Sequence, residues 1–227
     1  MNDQLPVYPA DAFIGTVLNI FHITFNGYPL SFIVWNILLA TLAVLAARYS
    51  VKLLENKKVS WFKKTVMFTV WLALLPNTAY LMTDIRHVIG YCPLSSYSNV
   101  CPQNAWMTLF FFLYAAFGWP SFVLAIRPFK RYVTKRFGKN QAILFATVAC
   151  FFTAWGVLLG LINRFNSWEL ITKPGEIIII AFSYFSQINA LLNIFLMFIF
   201  LGFLYAVGEK IFVTTQHEQR TKLSKNK

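Results

Sequence analysis

The chain has 227 residues, of which 58% are hydrophobic, and its 12% of charged residues is about half the fraction of a soluble domain. Several stretches reach the roughly 20 apolar residues that a helix needs to cross a bilayer. These features exclude an ordinary soluble domain and predict an all-α polytopic membrane protein, a single transmembrane bundle of about five spans.

The net charge of +12 is distributed in a way that argues against a nucleic-acid partner. Seventeen of the 20 lysines and arginines fall in three segments, 48–64, 127–139 and 210–227, and only Arg86, Arg164 and Lys173 lie elsewhere. The positive-inside rule assigns the three basic segments to the cytoplasm. We therefore predict a multi-pass protein of the cell membrane, with its amino terminus outside and its carboxyl terminus inside. Its expected partner is membrane lipid and not nucleic acid.

The first apolar stretch, residues 12–25, is short for a span. It is followed by Asn26-Gly27-Tyr28-Pro29, which is typical of a turn. We expect 12–25 to form an interfacial or re-entrant helix on the outer side. A sixth span is the alternative, and it would place an acidic amino terminus in the cytoplasm.

Five longer apolar stretches follow in order. The segments between them alternate between many basic residues and few. Pro76 and Pro120 lie inside the second and third stretches and should kink them. The last stretch exceeds the bilayer thickness, so it should tilt or continue into the cytoplasm before a cytoplasmic tail at 210–227. The predicted spans are 30–54, 61–83, 105–126, 141–162 and 177–207.

Four polar residues close the second span: Asn77, Tyr80, Asp84 and His87. Their spacings of three, four and three place them on one face of a helix. Polar groups at the end of a membrane segment are costly and more often line a cavity than face lipid. Asp84 and His87 could act as an acid/base pair or as metal ligands, with Glu169 as a third ligand. The alternative is a carboxylate that orients the histidine and caps the helix.

A second polar segment follows the fourth span, with Arg164 ahead of Asn166, Ser167, Trp168 and Glu169. A guanidinium suits phosphate, and tryptophan sits well among lipid headgroups. The segment could hold a phospholipid head or a lipid-linked phosphate. Alternatively, it is an interfacial anchor in which Arg164 pairs with an acid, Glu169 or Asp84. Ser167 lacks the surroundings of a nucleophile elbow, and the residue types of a triad alone do not establish one.

Two cysteines, Cys92 and Cys101, lie nine positions apart in the predicted outer loop. Outside the cytoplasm a disulfide between them is plausible and would tie this loop over the polar residues. The alternative is a pair of free thiols. A zinc clip is not favoured, since the loop has no further cysteine or histidine.

The two polar segments resemble a bacterial membrane-protein family catalogued as domain of unknown function 1361. The shared features are a Leu-Pro-Asn stretch running into Tyr, Thr-Asp and His, then an arginine before Asn-Ser-Trp and an acid, then a proline. In this sequence they are Leu75-Pro76-Asn77, Tyr80, Thr83-Asp84, His87, Arg164, Asn166-Ser167-Trp168-Glu169 and Pro174, together with Trp35-Asn36 in the first span.

The sequence departs from the family pattern at three places. The acid of the second motif is Glu169 instead of Asp. The family often has an arginine after a Leu-Gly pair, where this chain has Leu161, and an acidic residue near the start of the third span, where this chain has Met107 and Thr108. These departures weaken the argument for a complete catalytic set, and the resemblance implies no established activity or cofactor.

The leading hypothesis is an extracytoplasmic polar site that acts on or binds a lipid or a lipid-linked envelope precursor. Asp84, His87 and Glu169 would be acid/base groups or metal ligands. Arg164 would bind phosphate, Asn77 and Tyr80 would orient the cluster, and the remaining substrate-binding candidates are Thr83, Asn166, Ser167 and Trp168. The alternative is a non-enzymatic accessory or transporter-like protein whose polar cluster is structural, and the sequence does not decide between them.

Overall fold

The computed structural model describes residues 24–25, 28–86, 105–165 and 169–225. The chain divides into two compact units, 1–38 and 39–227. In the first unit, two-residue strands β1 (Thr24–Phe25) and β2 (Tyr28–Pro29) pair in antiparallel fashion, with Thr24 opposite Pro29. Residues 24–25 are therefore extended and not helical as we predicted, and the rest of the predicted interfacial helix 12–25 lies outside the described residues.

Helix α1 (Leu30–Glu55) begins in the first unit and ends in the second. The described part of the second unit contains further helices and two 3₁₀ turns, at Asp84–Arg86 and Tyr184–Ser186. The helices are α2 (Trp61–Thr83), α3 (Ala105–Phe137), α4 (Lys139–Ile162), α5 (Glu169–Thr172), α6 (Pro174–Ser183) and α7 (Ile188–Lys225).

Five of these helices, α1 to α4 and α7, are long and apolar enough to cross a membrane. This confirms the predicted all-α polytopic fold, and the chain is a multi-pass integral membrane protein.

The second basic segment is helical and not the loop that we expected between residues 126 and 141. α3 continues to Phe137, and only Gly138 separates it from α4. Gly138 has φ +95°, a left-handed conformation that glycine adopts without steric cost, and its N–H donates to the Thr134 carbonyl at 3.1 Å. The turn between the two helices therefore needs a single residue.

The last helical stretch is interrupted, whereas we predicted one continuous span over 177–207. α6 ends at Ser183, a 3₁₀ turn follows, and Gln187 is extended before α7 begins. The hydroxyls of Ser183 and Ser186 donate to the carbonyls of Ile180 and Ser183 at 2.8 and 3.1 Å. Such local bonds compete with helical ones and account for the break. α7 then continues through most of the predicted tail, to Lys225.

Small residues and indole hydrogen bonds hold the long helices together. Buried alanines from α1, α3 and α4 surround Trp71 of α2 in one cluster. The Trp71 indole N–H donates to the Ala125 carbonyl at 2.9 Å, and Trp119 donates to the Leu204 carbonyl at 2.9 Å. Small residues let membrane helices approach closely, and each interhelical hydrogen bond adds about 0.6–2 kcal/mol. These contacts fix α2 against α3 and α3 against α7.

Candidate functional site

Glycines on α3 and α4 enclose the end of α2 that carries the predicted polar face. A Cβ atom at Gly118 of α3 would lie 2.9 Å from the Thr78 carbonyl oxygen, and one at Gly156 of α4 would lie 2.5 Å from Cγ of Pro76. A Cβ atom at Gly160 would lie 3.2 Å from Cε2 of Tyr80. The first two positions therefore admit no larger residue without movement of the helices.

The contacts with α4 also set the register of this end of the bundle. Pro76 of α2 faces Gly156 of α4. Four residues further along each helix, Tyr80 faces Gly160. The two helices therefore run parallel here, and both end on the same side. The Gly-x-x-x-Gly spacing of 156 and 160 is a known signal for close membrane-helix packing, and our sequence analysis did not use it.

Three polar side chains near the end of α2 donate hydrogen bonds within their own helix. Asn77 Nδ2 donates to the Leu74 carbonyl at 3.0 Å, and the Thr78 and Thr83 hydroxyls donate to the Leu75 and Tyr80 carbonyls at 2.7 Å. Pro76 lacks an N–H, so it leaves a carbonyl one turn earlier without its usual donor. Asn77, Tyr80 and Thr83 are half-buried.

Asp84 is buried, with only 1% of its surface exposed. It ends α2 and begins the 3₁₀ turn Asp84–Arg86, so the α-helical spacing from which we placed His87 stops at Thr83. His87 itself lies outside the described residues, as do the loop cysteines Cys92 and Cys101.

Arg164 lies just beyond the end of α4, where Asn163 is the C-cap. Its φ of 56° is in the left-handed region, and its side chain is exposed. Within the described part of the chain it forms no salt bridge, whereas Oε1 of the buried Glu169 lies 3.5 Å from Nζ of Lys173. The structure thus does not pair Arg164 with Glu169. Asn166, Ser167 and Trp168 fall outside the described residues.

A tyrosine that our sequence analysis missed anchors the residue before Arg164. Tyr184 is buried in the 3₁₀ turn between α6 and α7, and its hydroxyl donates to Oδ1 of Asn163. The two residues are 21 positions apart, so no local sequence pattern indicates the contact. The Phe165 carbonyl also approaches Gly160, beside the Tyr80 ring. The residues before and after Arg164 thus both lie against the rest of the bundle, Asn163 against Tyr184 and Phe165 near Gly160.

The described side chains do not form a cluster of three potential metal ligands. In residues 24–25, 28–86, 105–165 and 169–225, no three His, Cys, Asp or Glu side chains lie close enough to hold an ion. The candidate set of Asp84, His87 and Glu169 includes one residue outside these ranges, so this metal site stays a prediction.

Comparison with known proteins identifies a family. No curated protein and no solved structure matches the chain. One family model matches residues 35–204, which is most of the chain and includes the α2 end and the Arg164 segment. The chain therefore belongs to the family described as protein of unknown function (DUF1361).

Proposed function

We propose that this membrane protein binds the phosphate-bearing head of a lipid or lipid-linked envelope precursor, at the end of the bundle where α2 and α4 finish. We propose further that this end faces away from the cytoplasm. Arg164 is the phosphate ligand. Asn166, Ser167 and Trp168 would complete the contact with the headgroup. Asn77, Tyr80 and Thr83 form the inner surface of the site.

The backbone of Arg164 is the observation that carries this proposal. A left-handed conformation costs roughly 1–2 kcal/mol for a residue with a Cβ, and the position after a helix C-cap normally favours glycine. An exposed arginine at φ 56° therefore gives up stability that glycine would supply. Strain of this kind is typical of functional positions. The planar guanidinium offers a bidentate match to phosphate.

The buried carboxylate of Asp84 supports a chemical role at the same end. An ionisable group at the end of a membrane segment is expensive to bury, and such groups commonly mark functional sites. In an enzyme, Asp84 and His87 would serve as acid and base or as metal ligands, with Glu169 as the third group. In a binding protein, the same residues would position the headgroup.

Native mass spectrometry of the protein in a mild detergent tests the binding role of Arg164. The wild type is compared with Arg164→Ala and with Arg136→Ala, which removes the same charge from an exposed side chain in the last turn of α3. We expect a phosphorylated lipid on the wild type and on Arg136→Ala, and about tenfold less on Arg164→Ala. Equal retention by all three proteins would reject Arg164 as the ligand.

The second candidate function is a non-enzymatic accessory or transporter-like role in which the polar cluster is structural. The local hydrogen bonds of Asn77, Thr78 and Thr83 favour this reading, because they satisfy the side chains without a ligand. Asp84→Asn discriminates between the two. Breaking a structural buried charge pair costs about 3–5 kcal/mol, so the variant would fail to accumulate. Normal abundance together with lost lipid would support the binding site.

A further inference from the structure

The apolar helix α6, which follows the Arg164 segment in the chain, is too short to cross a membrane. Its ten residues extend about 15 Å, half of the roughly 30 Å hydrocarbon core of a bilayer. All six residues from Ile177 to Phe182 are apolar. A helix that is apolar on every side is typical of a membrane-embedded or fully buried segment, and not of one that lies on a water-facing surface.

One face of α6 packs against the bundle. Ile177 and Ala181, spaced four apart on this face, are buried. On α4, the ring of Trp155 lies 5.9 Å from the ring of Phe182 and 5.0 Å from the ring of Phe185, measured between ring centres. These contacts attach α6 and the turn that follows it to α4.

The contacts also place α6 beside the membrane-spanning part of α4. Trp155 lies seven residues before the end of this candidate span at Ile162, which is about 10 Å inside the span. Ile180 packs against the buried cluster that contains Leu158, one turn nearer to that end. The surroundings of a membrane protein at this depth are the acyl chains of lipids.

The chain bends between α6 and α7, so α6 does not continue the line of α7. Phe198 of α7 contacts Phe151 of α4, with 6.1 Å between the ring centres. Phe185 lies 13 residues before Phe198, so a straight helix would separate the two by about 20 Å. Their partners on α4, Trp155 and Phe151, are four residues and about 6 Å apart. The 3₁₀ turn and the extended Gln187 therefore place α6 alongside α4 and not beyond its end.

A second face of α6 and its following turn is apolar and exposed. The side chains of Ile178, Ile179, Phe182 and Phe185 are each between 45% and 71% exposed. A contiguous apolar surface of this kind marks an interaction site and not a water-facing surface. Because this surface lies at the depth of Trp155, its chemistry fits lipid acyl chains.

We propose that α6 is embedded in one leaflet as a half-membrane helix, and that its exposed face binds the acyl chains of that leaflet. The leaflet is the one in which α4 ends. The Tyr184 hydroxyl donates to Asn163, so this face lies next to the Arg164 segment. The inference concerns the hydrocarbon contact of α6 and does not depend on phosphate binding by Arg164.

Spin labels on single cysteines test the proposal in vesicles of phosphatidylcholine and phosphatidylglycerol. The full chain, with its own cysteines replaced, carries Ile179→Cys in α6, Leu196→Cys in α7 or Lys58→Cys between α1 and α2. Leu196 is 63% exposed within a candidate span and is the hydrocarbon reference, whereas the exposed Lys58 is the water reference.

The measurement is the collision rate of each label with oxygen, divided by its rate with a water-soluble nickel chelate. Oxygen is apolar and enters hydrocarbon, whereas the polar chelate is excluded from it. We expect the ratio at position 179 to match that at position 196 and to exceed that at position 58 at least about fivefold.

A ratio at position 179 equal to that at position 58 would place α6 in water and overturn the proposal. A straight continuation of α7 predicts this result, since Ile179 would then lie about 14 Å beyond Ile188, where the candidate span begins. Slow collision with both reagents would show that protein covers the face, which would also overturn the proposal. Ile178→Cys, at a second exposed position of the same face, carries the test if Ile179→Cys does not fold.

Discussion

The contact between Gly156 and Pro76 makes a quantitative prediction about stability. A Cβ atom at Gly156 would lie 2.5 Å from Cγ and 3.0 Å from Cβ of Pro76, whereas carbon atoms in contact normally lie about 3.5–4.0 Å apart. Gly156→Ala must therefore push the helices apart by about 1 Å at a rigid proline ring. Overpacking of this kind costs about 1–3 kcal/mol, against a gain of up to about 1 kcal/mol in helix propensity.

Gly202→Ala is the matched control, since Gly202 lies inside α7 and a Cβ there meets no atom of the described residues within 4 Å. This variant should be more stable than the wild type, because alanine has a higher helix propensity than glycine and causes no overpacking at this position. The two variants should therefore differ by about 2 kcal/mol, or about 4–8 °C in Tm for a chain of this size. Thermal unfolding in detergent, followed by tryptophan fluorescence, measures the difference. A Gly156→Ala protein as stable as Gly202→Ala would refute the close approach of α2 to α4.

Three further variants test other contacts, each in the same unfolding assay. Trp71→Phe should lose about 1 kcal/mol with its buried indole hydrogen bond, whereas Trp61→Phe, at a side chain 78% exposed, should change little. Tyr184→Phe should lose about 1 kcal/mol by releasing Asn163, and an unchanged Tm would contradict that anchor. Arg164→Gly should raise stability by about 1 kcal/mol through relief of its left-handed backbone, and a loss would argue against strain there.

The apolar helices were predictable because their signal is local and strong. About 20 consecutive apolar residues leave few alternatives to a membrane helix. The basic segment after Ile126 was predicted wrongly for a physical reason. Long basic side chains can extend to water from a helix whose other face stays buried, as Phe129 does. Charge therefore marks the water boundary but not the end of the helix.

The sequence indicated which residues belong to the candidate site. It did not indicate which other residues they contact. The spacing of Tyr80 and Asp84 could be read directly, since it depends only on the helix period. The anchor between Asn163 and Tyr184 joins separate helices and leaves no local pattern. The same holds for Lys130 with Glu209, whose cation we had attributed to topology. Tertiary pairing of this kind depends on helix packing, which composition and periodicity do not specify.

The proposed function requires that the end of the bundle carrying Asp84 and Arg164 faces away from the cytoplasm. The direct measurement is labelling of intact cells with a thiol reagent that cannot cross the membrane. Single cysteines are introduced as Lys58→Cys and Tyr97→Cys in a chain whose own cysteines, Cys92, Cys101 and Cys150, have been replaced. We predict labelling at position 97 and none at position 58 until the membrane is permeabilised. Labelling at position 58 and not at 97 would invert the topology and contradict the proposed function.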